Sequence, residues 1–145
     1  MSKIIKIKAR QVFDSRGIPT IEAEIFCKNI SAKAICPSGA STGTYEAYEK
    51  RDLSNKMYLG KSVLQAVNLI NKKISKKLKN KNVHNQELID AILINLDGTK
   101  QKKKFGANAI LAISMAVKKL SSKLKKIPLY FKSLKIISRS LKSLI

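Results

Sequence analysis

The sequence predicts an α+β domain, a three-stranded antiparallel β-meander followed by about four helices. Two observations carry that expectation. Apolar residues recur every second position over the first 36 residues, and from Ser62 they recur with helical spacing. A third observation separates the halves, because residues 37–44 are small, polar and glycine-containing and follow neither period.

Residues 4–13 alternate, with Ile5, Ile7 and Ala9 on one side and Lys6, Lys8 and Arg10 on the other, as a half-buried strand requires. Asp14-Ser15-Arg16-Gly17-Ile18-Pro19 is dense in turn formers. Ile21, Ala23, Ile25 and Cys27 then alternate with Glu22 and Glu24 in a second strand. Lys28-Asn29 makes a tight turn, and Ala32, Ala34 and Cys36 alternate with Lys33 and Ile35 in a third. Short links between strands predict a meander.

Beyond the break, residues 45–52 are expected to form a short helix. Val63, Ala66, Val67, Ile70, Ile74 and Leu78 share one helical face, with lysines opposite. Asn85 is placed to cap a second helix carrying Leu88, Ile89, Ile92, Leu93 and Leu96, and Gly98 to end it. Lys100 to Lys104 reads as an exposed basic loop. A third helix runs from about Ala107 to Leu124, its Ala and Ser content permitting close approach of a neighbour, and Pro128 ends that stretch. In the tail Leu134, Ile137, Leu141 and Leu144 recur at helical spacing among Lys and Arg.

The 145 residues fit one domain and contain no tryptophan, so Ile, Leu, Val and Ala must fill the core. No apolar run approaches the roughly 20 residues of a membrane span, and the start does not read as a secretory signal. A soluble, cytoplasmic protein is expected. Cys27 and Cys36 show no metal-binding spacing and are read as reduced thiols. The net charge is +21, and no acid follows Asp97 whereas thirteen Lys and Arg do. Such a balance fits either a polyanion-binding surface or lysine drift in composition; the lack of aromatics among the lysines favours drift.

One segment stands out chemically: Ser38, Gly39, Ala40, Ser41, Thr42 and Gly43. Small residues let backbone approach a ligand, and hydroxyls and free N–H groups bind phosphate or complete a metal shell. The P-loop pattern is absent. On chemistry alone the segment fits either a ligand loop or an ordinary strand-to-helix connection.

Six ordered motifs resemble the enolase family. Asp14 to Glu22 is similar to its DSRGNPTVE stretch, with Ile18 where Asn is usual, and Pro37 to Gly43 matches its PSGASTG loop without change. Glu46-Ala47 and Lys50-Arg51-Asp52 resemble the EALELRD that follows. Asp97-Gly98-Thr99 and Phe105 to Ser114 are similar to its DGT and GANAIL motifs, and Ile127-Pro128-Leu129-Tyr130 resembles its IPLY. The resemblance implies the family's N-terminal domain over 1–130, followed by a divergent basic tail over 131–145.

Enolases (phosphopyruvate hydratases) are glycolytic lyases that dehydrate 2-phosphoglycerate to phosphoenolpyruvate with Mg²⁺. By resemblance, residues 38–43 are the substrate loop and Ser41 ligates a Mg²⁺ through its hydroxyl and carbonyl oxygens. Arg10 and Glu22 match positions of intersubunit salt bridges in the enolase dimer, although plain strand charge explains them equally well. The family's catalytic lysines, acids, metal carboxylates and histidine lie in a C-terminal barrel, and none has a counterpart here. His84 reads as a surface residue. The chain alone is therefore expected to be inactive, its end reflecting a frameshift or early stop, and its partners to be an enolase barrel or a second subunit. The alternative is a basic remnant that binds nucleic acid, an anionic membrane or intact enolase, chiefly through the tail.

Overall fold

The computed structural model describes residues 2–37, 43, 46–54 and 56–131. Three strands, β1 (Lys6–Phe13), β2 (Pro19–Cys27) and β3 (Ile30–Cys36), form an antiparallel sheet in the order β1-β2-β3. Four helices follow: α1 (Leu64–Leu69), α2 (Ser75–Leu78), α3 (Gln86–Asp97) and α4 (Ala107–Leu124). The expected α+β meander-then-helices architecture is what the chain adopts.

One face of the sheet makes the core. Ile7, Ala9, Ile21, Ala23, Ile25, Cys27, Ala34 and Cys36 are buried there, and α4 lies across β2 and β3. Ala109, Ala112 and Ala116 on α4 are fully buried, so the expected close approach of this helix is realised. Cys27 and Cys36 are free thiols. The alternation of β1 breaks at its start. Ile5 is 50% exposed, whereas Ile4 is fully buried and exchanges hydrogen bonds with Asn80 and Lys81. The Ile5 N–H is taken by the Phe26 carbonyl although Lys6 is the residue opposite Phe26. That extra residue turns Ile5 off the core face.

The helix expected from Ser62 is present but not uniform. Between α1 and α2 the chain makes a wide π-helical turn over Ile70–Ile74. Buried Ile70, Ile74 and Leu78 are spaced by four. A spacing of four drifts across an ordinary helix face, and a wider turn holds the three residues in line. The same turn presents Asn71 to the open edge of β1. The Ala9 N–H donates to Asn71 Oδ1 (2.8 Å), and Asn71 Nδ2 donates to the Ala9 carbonyl (3.0 Å). An edge strand so capped offers less free backbone to another chain.

α3 begins and ends where expected. Asn85 Oδ1 accepts from the Leu88 N–H (3.1 Å), and Gly98 closes the helix in the left-handed conformation at φ 69°. The following lysines also serve the helix end, since Lys104 Nζ donates to the Leu96 carbonyl (3.2 Å).

Candidate functional site

β3 delivers Cys36 and Pro37 to one end of the sheet, where the Thr20 hydroxyl donates to the Cys36 carbonyl. The expected substrate-loop residues Ser38, Gly39, Ala40, Ser41 and Thr42 lie outside the described residues, so the placement of Ser41 does too. Gly43 is described, and its carbonyl accepts from the Glu46 N–H (3.1 Å).

The short helix expected over 45–52 is not formed in its described part, 46–52. The cause is long-range pairing at every second residue. Tyr48 donates to Gln101 and accepts from Ala107, both at 2.8 Å. The Lys50 N–H donates to Asn108 Oδ1 (3.2 Å) and its carbonyl accepts from Asn108 Nδ2 (3.0 Å). The Asp52 N–H donates to the Ser62 carbonyl (2.8 Å). Backbone groups committed in this way are lost to a local helix.

Asn108 reaches Lys50 because Gly106 lets the backbones touch. Gly106 has φ 91°, and a Cβ there would stand 2.9 Å from the Lys50 nitrogen. The turn before it is held by Asp97, which is 2% exposed. Its carboxylate accepts from the Thr99 N–H (3.0 Å), the Thr99 hydroxyl and the Phe105 N–H (2.8 Å). Burial pushes the Asp97 carboxyl up, but these donors, with Lys102 nearby, outweigh it and hold it below the ordinary range.

Arg51 and Asp52 fasten the far end of the same segment. Arg51 donates to the carbonyls of Pro19 (3.1 Å) and Lys61, and to Glu49 (2.8 Å). Buried Asp52 accepts from the N–H groups of Leu64 (2.9 Å) and Gln65 (3.2 Å), and Gln11 Oε1 accepts from Val63 (2.8 Å). Residues distant in sequence thereby cap α1, which has no side-chain cap of its own.

On the sheet face away from the core, Arg10 Nε meets Glu22 at 2.5 Å and its Nη2 meets Glu24 at 2.8 Å. Glu22 lies directly opposite Arg10 in the β1–β2 register. Glu22, then Glu24, hold the guanidinium more firmly protonated. Burial raises Glu24, but Ser31, Lys33 and Arg10 together bring it below its usual value. In the turn joining these strands Asp14 Oδ1 accepts from the N–H groups of Arg16 (2.8 Å) and Ile18 (2.9 Å).

A cleft of about 750 Å³ lies beside the end of β3, lined by Cys36, Pro37, Gly43, Glu46, Arg51 and Leu111 among others. Burial, then Glu49, pushes the Cys36 thiol up to about 11, so it is no nucleophile near neutrality. Among the described residues no group of three or more His, Cys, Asp or Glu could hold a metal. No helix among them is long and apolar enough to cross a membrane. His84 is not a plain surface residue: it is half-buried, with Nδ1 2.7 Å from the hydroxyl of buried Ser121. The tail from residue 132 onward lies outside the described residues.

The motif residues described here are thus mostly joints of a scaffold. Asn108, Gly106, Asp97 and Asp52 tie α1, α4 and the 46–52 segment together. Their roles were not visible as chemistry in the sequence, although each sits in a recognisable motif.

A family model described as "Enolase, N-terminal domain" matches residues 4–132. The enolase of Pelagibacter ubique (strain HTCC1062) is 74% identical over 130 residues, covering 90% of this chain and 31% of that protein. The enolase of Methanococcus vannielii is 56% identical over 128 residues, 88% of this chain and 30% of that protein. The chain spans about 30% of the length of the curated relatives it matches.

Proposed function

Because the chain belongs to the enolase N-terminal domain family, we propose that it supplies the part of an enolase active site that lies outside the barrel. In that assembly residues 38–43 form the substrate loop where 2-phosphoglycerate loses water to give phosphoenolpyruvate. Ser41 contributes hydroxyl and carbonyl oxygens to a Mg²⁺. Residues 1–130 act as the domain, with 131–145 a separate basic tail, in the cytoplasm.

The observation that carries this reading is the hydrogen-bonded clamp on both flanks of the segment. Thr20 fixes Cys36 before it, and Asn108, Arg51 and Asp52 fix residues 48–52 after it. A loop that meets a ligand held by another domain needs rigid supports. A second support is the exposed apolar group Leu53 (76%), Met57 (53%) and Leu59 (90%), which suits docking on a barrel. Arg10 and Glu22 are placed at the dimer contact in this reading. Within the chain they pair with each other, and Arg10 retains Glu24 if Glu22 turns to a second subunit.

The Mg²⁺ does not fit this chain by itself. Two oxygens of one serine suit a hard cation but fall well short of its roughly six ligands, and the described residues add no acidic cluster. No catalytic step is therefore assigned to the chain's own residues. The test is to co-express the full chain with the barrel portion of the Pelagibacter ubique enolase and follow phosphoenolpyruvate formation. Activity should require both polypeptides, and Ser41→Ala should lower it on the order of 100-fold. A stable complex without activity, or an unaffected Ser41→Ala variant, would overturn the reading.

A further inference from the structure

All the ion pairs among the described residues are made by arginines, namely Arg10 with Glu22 and Glu24, Arg16 with Asp14, and Arg51 with Glu49. Asp52 and Asp97 are occupied by backbone N–H groups. Lys33 acts on Glu24 and Lys102 on Asp97, but at +21 the chain has too few acids to compensate its lysines. They converge at a second cleft of about 420 Å³, lined by Lys50, Lys72, Lys73 and Lys104, with Gln65 and Asn68 completing its polar wall. No acid lines it.

The lysines come from three separate segments. Gln65, Asn68 and Lys72 follow one another at helical spacing along α1 and the π turn. Lys50 comes from the segment clamped by Asn108, and Lys104 from the turn after α3, where its ammonium is steadied by the Leu96 carbonyl. The result is a shallow groove lined by four lysine side chains and two amides, whose ammonium and amide donors can turn toward a phosphate from several sides. No aromatic side chain lines it on which a base could stack, which argues against a nucleic-acid strand. The volume suits a small molecule.

We propose that this cleft binds a small oligophosphate group, of the kind carried by nucleoside triphosphates, at a site that shares no lining residue with the cleft beside the end of β3. The probe is inorganic tripolyphosphate, titrated into the full-length chain by calorimetry at low and moderate salt. Saturable one-to-one binding that weakens with salt is expected. Lys72→Glu with Lys73→Glu should weaken it roughly tenfold or more, and Lys72→Gln with Lys73→Gln by less. Lys118→Glu with Lys119→Glu, the same charge change on α4 outside the cleft, should leave it nearly unchanged. Equal weakening by the two charge-reversed pairs would show diffuse charge and overturn the site. So would absence of saturable binding, or preference for a single-stranded RNA oligomer over tripolyphosphate. Circular dichroism of each variant verifies that the fold is retained.

Discussion

The Asn71 side chain closes a ring of two hydrogen bonds on the backbone of Ala9, receiving its N–H at 2.8 Å and donating to its carbonyl at 3.0 Å. Ala9 lies on β1, the outer strand of the sheet, so the amide stands where a fourth strand would pair. Asn71→Leu should destabilise the chain by about 1–3 kcal/mol, since both Ala9 groups lose a partner. Asn71→Asp should also cost stability, because it keeps the acceptor and removes the donor. Urea unfolding followed by circular dichroism measures both, and unchanged midpoints would refute the role.

Gly106 gives a steric prediction. Its φ is 91°, and an added methyl carbon would stand 2.5 Å from the Lys50 Cβ and 2.9 Å from the Lys50 nitrogen, which leaves no room for it. Gly106→Ala should cost about 2 kcal/mol or more. Amide hydrogen exchange should rise at Tyr48, Lys50 and Asp52, whose N–H groups depend on the same joint. Exchange that rises uniformly, or not at all, would contradict the joint.

Asp97 predicts acid sensitivity. Its folded carboxyl takes a proton less readily than in the unfolded chain, because its donors outweigh burial. The stability it contributes is present above the unfolded value of about 3.9 and is lost as pH falls through the lower folded value. Asp97→Asn should be less stable near neutrality, and its loss of stability between about pH 5 and pH 2 should be shallower. Urea midpoints across that range give the slopes, and parallel curves would count against the assignment.

Cys36 predicts slow thiol chemistry. With its thiol pushed up to about 11, the thiolate fraction near pH 8 falls about 100-fold below that of a thiol at its ordinary value of 9.0. Iodoacetamide labelling of Cys36, read by peptide mass spectrometry, should be slow in the folded chain and fast in urea. Glu49→Gln should speed it modestly. Rapid labelling of the folded chain would exclude the buried, protonated thiol.

What the sequence made legible was local. Alternation placed Ile21, Ala23, Ile25 and Cys27 in the core, and helix α3 was bounded by Asn85 and Gly98 because cap and stop act within a few residues. What it hid was long-range. Asn71 binds a residue 62 positions away and Asn108 one 58 away, and no pattern in either neighbourhood announces the partner. The helix expected over 45–52 failed for the same reason, since Gln101, Ala107, Asn108 and Ser62 take the backbone groups a helix would use. Ile5 was misplaced by one extra residue in the β1–β2 pairing, which reverses the face of everything before it. His84 looked exposed among Asn and Lys, yet α4 brings Ser121 to it. The family was legible from its motifs, but in the described residues those motifs chiefly report how the scaffold is joined.

The wide turn at Ile70–Ile74 also acts as a phase setting between the two ends of one long helix. Each residue of an ordinary helix rotates the chain by about 100°. The wide turn spreads about one more residue over the same revolution, so α2 leaves it with nearly the phase of an uninterrupted helix and Leu78 still faces the core. A residue removed from α2 has no such allowance: the chain beyond it would swing by about 100°, Leu78 would leave its slot, and Asn80 would lose its bond to Ile4. Length is therefore held more tightly in α2 than in the wide turn before it, which can absorb the loss of a residue by closing to an ordinary helical turn.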